Sequence, residues 1–202
     1  DAPGPQWSWV RKDDAATVSG GALRWPTQSA DLYVDSNNAS VLVEDAPTGD
    51  YVVEARIRVD VPAEGCCFNY VQGGLVIYGG DDRFLKLATV SIWETRQTEW
   101  AKEIPKAPAG APRYGNTVVG APGAWTTLRI VKVEDPDGGA DWYQAWTRRG
   151  SQPWVRGGTW RQTFANERIG LVSMGGSGFT TQVDWVRVSR LDPRGPTPVL
   201  EP

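Results

Sequence analysis

Two sets of residues in this chain could do chemistry, its acids and its aromatic rings. Glu99 and Glu103 are four apart, so on a regular strand they share one face. Glycoside hydrolysis uses two carboxylates about 5–10 Å apart, which on one strand face calls for Glu-x-Asp or Glu-x-Glu spacing. No Glu-x-Asp-x-(x)-Glu run is present. A catalytic reading would rest on Glu94, Glu99 or Glu103, whereas the nearby Lys102 and Lys106 favour a solvated outer face for the last two. The chain has no His. That removes histidine general bases, Ser-His-Asp and Cys-His nucleophile systems, and histidine-ligated metals.

The rings offer recognition instead. Eleven Trp exceed what one core of this size uses, and Trp is seldom fully buried. Sugars present C–H faces rimmed by hydroxyls, which flat rings and flanking amide or charged groups can meet together. Four groups join rings to polar side chains, three of them in strand phase. Gln72 and Tyr78 share a face, and Lys86 lies on the Phe84 face within reach of a hydroxyl or carboxylate. Trp93-Glu94-Thr95-Arg96 ends a run with ring, carboxylate and guanidinium together. Trp142, Gln144, Trp146 and Arg148 alternate with Tyr143, Ala145 and Thr147. The first of those faces could instead pack inward, with Trp142 and Trp146 in the core and Tyr143, Ala145 and Thr147 facing water. Gln144 and Arg148 argue for a binding face, because unpaired polar groups are costly in a core.

Cys66 and Cys67 are adjacent. They read either as two thiols near a turn or as a vicinal disulfide that stiffens the loop from Glu64 to Tyr70 and offers a flat apolar patch. Two Cys without His are too few for a metal site.

The elements that must position these residues are strands. Gly and Pro, 23 and 15 of 202 residues, are rich in turns but below the roughly 25–30% of low-complexity chains. Short β-type runs recur between Gly, Pro, Asn and Asp clusters, with no long helical period. They are Gly21–Trp25, Asp31–Val34, Ser40–Val43, Tyr51–Val61, Gly73–Tyr78, Phe84–Trp93, Glu99–Glu103, Thr126–Glu134, Trp142–Arg148, Thr159–Thr163, Ile169–Met174 and Thr181–Ser189. In Tyr51–Val61 the residues Val53, Ala55, Ile57, Val59 and Val61 share one face, and Glu54, Arg56, Arg58 and Asp60 the other. Antiparallel strands without intervening helices predict an all-β fold, a two-sheet antiparallel β-sandwich or jelly roll.

The length fits one domain, expected over residues 7–191. Residues 1–6 read as an N-terminal arm or linker, and residues 192–202 as a Pro-rich tail or linker. With 21 Lys and Arg against 24 Asp and Glu, the net charge is −3 and the basic residues are scattered. Nucleic acid is therefore not an expected partner, and no run is long enough for a membrane span. A first residue of Asp suggests a processed or trimmed chain, with a secreted or extracellular location expected.

The order of runs resembles a known family. Gly49-Asp-Tyr-Val-Val-Glu-Ala-Arg-Ile-Arg-Val59, Gln72-Gly73-Gly74-Leu75-Val76-Ile77-Tyr78 and Asp81-Asp82-Arg83-Phe84-Leu85-Lys86-Leu87 come first. Trp125-Thr-Thr-Leu128-Arg-Ile130 follows, then the Trp142–Trp154 hairpin, Arg168–Leu171 and Val183-Asp184-Trp185-Val186-Arg187-Val188. Together they resemble the concanavalin A-like jelly-roll domains attached to bacterial glycoside hydrolases, including the C-terminal domain of β-xylosidases. In the hairpin, Arg148-Arg149-Gly150 replaces an acidic pair and one residue is inserted before Trp154. The resemblance spans roughly residues 7–191.

It implies a β-sandwich whose concave face can hold a saccharide, and carbohydrate binding or support of a neighbouring hydrolase more than catalysis. The polysaccharide lyase template of similar shape needs a His, which is absent. Trp9 and Trp125 fall at family core positions, and Trp154 is expected behind the hairpin. No cofactor is required, although the resemblance implies that calcium could support the sandwich. Asp135, Asp137 and Asp184 are the candidate oxygen ligands, and Asp135–Gly139 reads equally as a calcium loop or a hairpin turn. The function expected is a carbohydrate-binding module for a polysaccharide or oligosaccharide, alone or beside a catalytic domain in the same parent chain. The alternatives are a catalytic jelly roll and a purely structural domain.

Overall fold

The computed structural model describes residues 3–191, so residues 192–202, expected as a tail, lie outside them. Sixteen strands follow one another without a helix among the described residues. They are β1 (Ser8–Val10), β2 (Thr17–Ser19), β3 (Ala22–Pro26), β4 (Leu32–Tyr33), β5 (Ser36–Asn37), β6 (Val41–Asp45), β7 (Tyr51–Val59) and β8 (Gln72–Gly80). Then come β9 (Arg83–Ile92), β10 (Thr95–Glu103), β11 (Tyr114–Val118), β12 (Thr126–Val133), β13 (Asp141–Arg149), β14 (Val155–Gln162), β15 (Arg168–Met174) and β16 (Thr180–Arg190).

Fourteen of them form two seven-stranded antiparallel sheets, a concanavalin A-like jelly-roll sandwich. The first sheet runs β1-β6-β15-β8-β9-β10-β11, the second β14-β13-β12-β7-β16-β3-β2, and β4-β5 is a small ribbon. Alternation in the sequence sets which side faces in. Tyr51, Val53, Ala55 and Ile57 of β7 are fully buried, while Val52, Glu54 and Arg56 between them are not. Leu128 and Ile130 of β12 and Tyr143 and Ala145 of β13 join them, opposite Leu75, Ile77, Leu85, Leu87 and Trp100 of the first sheet. Residues Trp142, Gln144, Trp146 and Arg148 therefore lie on the outer side of the second sheet.

The central strands of the first sheet are buried on both faces. Val76, Tyr78, Phe84, Val172 and Met174 form a second apolar cluster on its outer side, covered by Leu32 and Ala39 from the segment that carries β4 and β5. That covering segment converts one sheet face from bare surface into a lined recess.

Candidate functional site

The recess is a cavity of about 420 Å³ on the outer face of the first sheet, lined by Asp31, Tyr33, Tyr70, Gln72, Lys86, Ile92, Glu99, Tyr114 and Asn116. Small-ligand sites run roughly 300–1,000 Å³. Small residues separate its polar side chains across the sheet. Gly74 pairs with Ala88 and Ala88 with Glu99, and Ala101 separates Lys86 from Asn116 across the strands. A Cβ on Gly74 would come within 2.7 Å of the Ala88 Cβ, so this crossing admits no side chain at position 74.

One wall is the segment from Gln28 to Ala39. The Asp31 carbonyl accepts the backbone N–H groups of Asn38 and Ala39, each at 3.1 Å. Val34 donates its N–H to Glu103 (2.9 Å), and Arg113 pairs with Asp35, Asp82 and Glu103. These bonds lock the β4-β5 ribbon on one side and leave the Tyr33 ring half-exposed, edge-on to Tyr114 at 5.0 Å. The other wall is Tyr70, held at φ 70° and also half-exposed. Its N–H donates to the Ser91 carbonyl (2.7 Å), and its carbonyl accepts Gln72 Nε2 (3.1 Å). A non-glycine residue in that left-handed region persists only when its surroundings fix it.

The interior is polar and charged. Lys86 is 2% exposed, with Nζ 4.0 Å from Glu99 Oε1, and the Tyr114 hydroxyl donates to that same oxygen. Burial holds the Lys86 ammonium below its ordinary pKa, against the opposing pull of Glu99, Asp31 and Glu103. Burial first, then the Glu99 charge, pushes the Tyr114 hydroxyl far up, so it stays a donor. Among the described residues Gln72 Oε1 is a buried acceptor with no partner. Between two exposed rings, this leaves an ammonium, a carboxylate and two amides aimed at one small volume.

Of the residues expected at a site, Gln72 and Lys86 meet here. Tyr78 shares the face but is buried, with its hydroxyl donating to Asp81 (2.5 Å); it belongs to the second apolar cluster. Trp93 and Glu94 form the exposed β9-β10 turn, next to Ile92 of the cavity. Arg96 does not present its guanidinium to a ligand. It donates to the carbonyls of Pro62, Glu64, Gly65 and Thr95 and lies over Phe68, which braces the loop of Cys66 and Cys67. Those cysteines are joined as a vicinal disulfide in an exposed loop. Trp142, Gln144, Trp146 and Arg148 lie together, but on the opposite sheet.

Other residues singled out in the sequence lie elsewhere. Glu99 and Glu103 are 4% and 0% exposed rather than on a solvated face, because β11 and the β4-β5 ribbon cover that edge of β10. Trp125 and Trp154 sit on the outer face of the second sheet, stacked by Arg56 and by Arg129 and Arg148, whereas Trp9 packs edge-on to the buried Trp25 at 5.0 Å. Asp135, Asp137 and Asp184 do not converge. The Asp135 side chain pairs with Arg161 and accepts the Asp137 N–H, while Asp184 pairs with Arg56. Asp135–Gly139 is closed as a turn by the Gly138 N–H on the Asp135 carbonyl (3.0 Å). No group of three or more His, Cys, Asp or Glu side chains that could hold a metal gathers among the described residues.

Asp31, Tyr33, Tyr70, Tyr114 and Asn116 were missed by sequence reasoning. Tyr33 lay within a recognised run, but nothing marked the segment as a cover. Tyr114 and Asn116 belong to β11, a strand of five residues with no clean alternation.

No protein-family model and no curated protein matches the sequence. Solved structures share the fold. A functionally unknown protein from Saccharomyces cerevisiae aligns with TM-score 0.73 and 12% identity over 92% of this chain and 97% of its own. A xylan β-1,4-xylosidase from Bacillus halodurans aligns with TM-score 0.64 and 13% identity over 94% of this chain and 40% of its own. A legume lectin-like domain from Entamoeba histolytica gives 0.61 and 9% over 93% and 91%. This chain thus spans about two fifths of the xylosidase. At these identities the likeness is one of fold.

Proposed function

We propose that this protein is a carbohydrate-binding module that holds a neutral saccharide in the cavity between Tyr33 and Tyr70, without breaking a bond. The observation that carries the reading is the pairing of two half-exposed tyrosine rings with a buried polar floor of Gln72, Lys86 and Glu99. The rings meet C–H faces, and the floor exchanges hydrogen bonds with hydroxyls. Acids outnumber cations among the lining residues, Asp31 and Glu99 against Lys86, which disfavours uronates here. Hydrolysis is not supported. Glu99 and Glu103 are four residues apart on one strand, about 13 Å, beyond the roughly 5–10 Å of a hydrolytic pair, and Glu103 is tied to Val34 and Arg113.

The lectin-like and xylosidase neighbours support a carbohydrate-associated role, and the latter supports a catalytic domain as partner in a longer chain. A vicinal disulfide supports an oxidising, extracellular setting. The test is affinity electrophoresis and calorimetry against neutral xylo-, gluco- and manno-oligosaccharides. Tyr33→Ala and Tyr70→Ala should each weaken binding about tenfold, the worth of one stacked ring, with the melting temperature nearly unchanged. Unaltered affinity in both variants would remove the cavity as the site.

A further inference from the structure

The outer face of the second sheet carries a stack of rings and guanidiniums that the cavity does not use. The Trp154 ring lies between Arg129 at 3.8 Å and Arg148 at 4.5 Å, and Arg156 lies over Trp146 at 5.9 Å. Strand pairing sets Trp146 opposite both Arg129 and Arg156. Charge compensation is uneven. Arg129 is held by Glu54 through Nε and a terminal nitrogen, at 2.9 and 2.8 Å. Among the described residues Arg148 has no carboxylate partner, and its Nε is buried without an acceptor. Trp146 Nε1 is likewise a buried donor without one. Three arginines of a chain with net charge −3 thus meet on one face, where among the described residues two buried donors, Arg148 Nε and Trp146 Nε1, and one buried acceptor, Gln144 Oε1, lack partners.

We infer that this face is a second binding site, for an anionic polysaccharide whose carboxylate or sulfate is taken by Arg148 and the Trp146 indole N–H. An oxyanion supplies the acceptor both donors lack, and a planar guanidinium stacked on a ring is fixed to receive it bidentately. The half-buried edges of Trp146 and Trp154 beside those donors suit the C–H faces of a sugar chain. A glycan therefore fits better than an acidic protein surface.

The test is retention of the full chain in gels containing polygalacturonate or dextran sulfate, compared with neutral dextran, at low and high salt. The proposal expects retention by a polyanion that weakens with salt and falls about tenfold in Arg148→Gln, the worth of a charge-assisted hydrogen-bond pair. Arg148→Lys, which keeps charge but not the planar fork, should fall nearly as far. Lys106→Gln, the same charge change at an exposed site elsewhere, should not fall. Equal loss in Lys106→Gln, no retention by either polyanion, or tighter binding of a single-stranded oligonucleotide would each overturn it. Neutral-oligosaccharide binding should be the same in wild type and Arg148→Gln, so the two sites stand or fall separately.

Discussion

At the scale of the residue, the cavity depends on a lysine that is 2% exposed. Lys86 reads from sequence as a surface side chain able to reach a ligand, and it does line the cavity. Its ammonium is nevertheless buried, and Glu99 and Tyr114 make that tolerable. Lys86→Met would leave the Glu99 carboxylate buried without its cation and should cost about 3 kcal/mol of stability, read as a drop in the chemical-denaturation midpoint. A neighbouring ion pair adds a pH dependence. Burial raises the Asp81 pKa, but the hydrogen bonds from Arg11 and Tyr78 more than reverse this and hold it below the ordinary 3.8. A carboxylate held lower in the folded than in the unfolded state contributes stability that is fully present above 3.8 and lost as pH falls through the lowered value. Asp81→Asn should therefore melt below wild type near neutral pH. The gap should close on acidification below 3.8, and a pH-independent gap would show that the ion pair carries none of it.

Elements explain what residues alone do not. Tyr70 and the Gln28–Ala39 cover reach the cavity from distant parts of the chain, and the turn after β15 joins them. Gly175 donates its N–H to the Ala30 carbonyl and Gly176 to the Gln28 carbonyl, each at 2.9 Å. A Cβ on Gly175 would fall 1.8 Å from the Tyr70 carbonyl oxygen, at φ 87°. Gly175→Ala should lose about 1–2 kcal/mol from the left-handed backbone alone. Because the Tyr70 carbonyl must also move, saccharide affinity should drop with it, and preserved affinity would uncouple this turn from the site. The long strands of the core were legible in the sequence because alternation marks their two faces, and in Tyr51–Val59 it also states which side is buried, whereas in Trp142–Arg148 it left the buried side open. β1, β2, β5 and β11 were not, since two to five residues are too few to show a period. The cover was illegible for a related reason. Gln72 with Tyr78 and Phe84 with Lys86 read as possible ligand faces, and only tertiary structure shows that the β4-β5 segment buries Tyr78 and Phe84 while Gln72 and Lys86 line the cavity. Hence Gln72 and Lys86 were found while Tyr33, Tyr70 and Asn116 were missed.

At the scale of the molecule, the sandwich presents two unlike faces. The first sheet offers an enclosed, mildly acidic recess between tyrosines; the second offers an open arginine and tryptophan surface. Sequence placed Trp142, Gln144, Trp146 and Arg148 on one stripe correctly in phase. Which sheet carried that stripe depended on the order β14-β13-β12-β7, which spacing does not encode. A ligand that binds only the folded chain should raise its stability by about 2.7 kcal/mol at a hundredfold excess over Kd, so calorimetric melting with a neutral oligosaccharide should show a higher transition temperature. The most direct measurement is a nuclear magnetic resonance titration of the labelled protein with that same neutral oligosaccharide. Saturable shifts are expected at the backbone amides of Tyr33 and Tyr70 and the side-chain amides of Gln72 and Asn116, with Trp146 and Trp154 unmoved. Shifts confined to the second sheet, or none with any neutral saccharide, would contradict binding in the cavity.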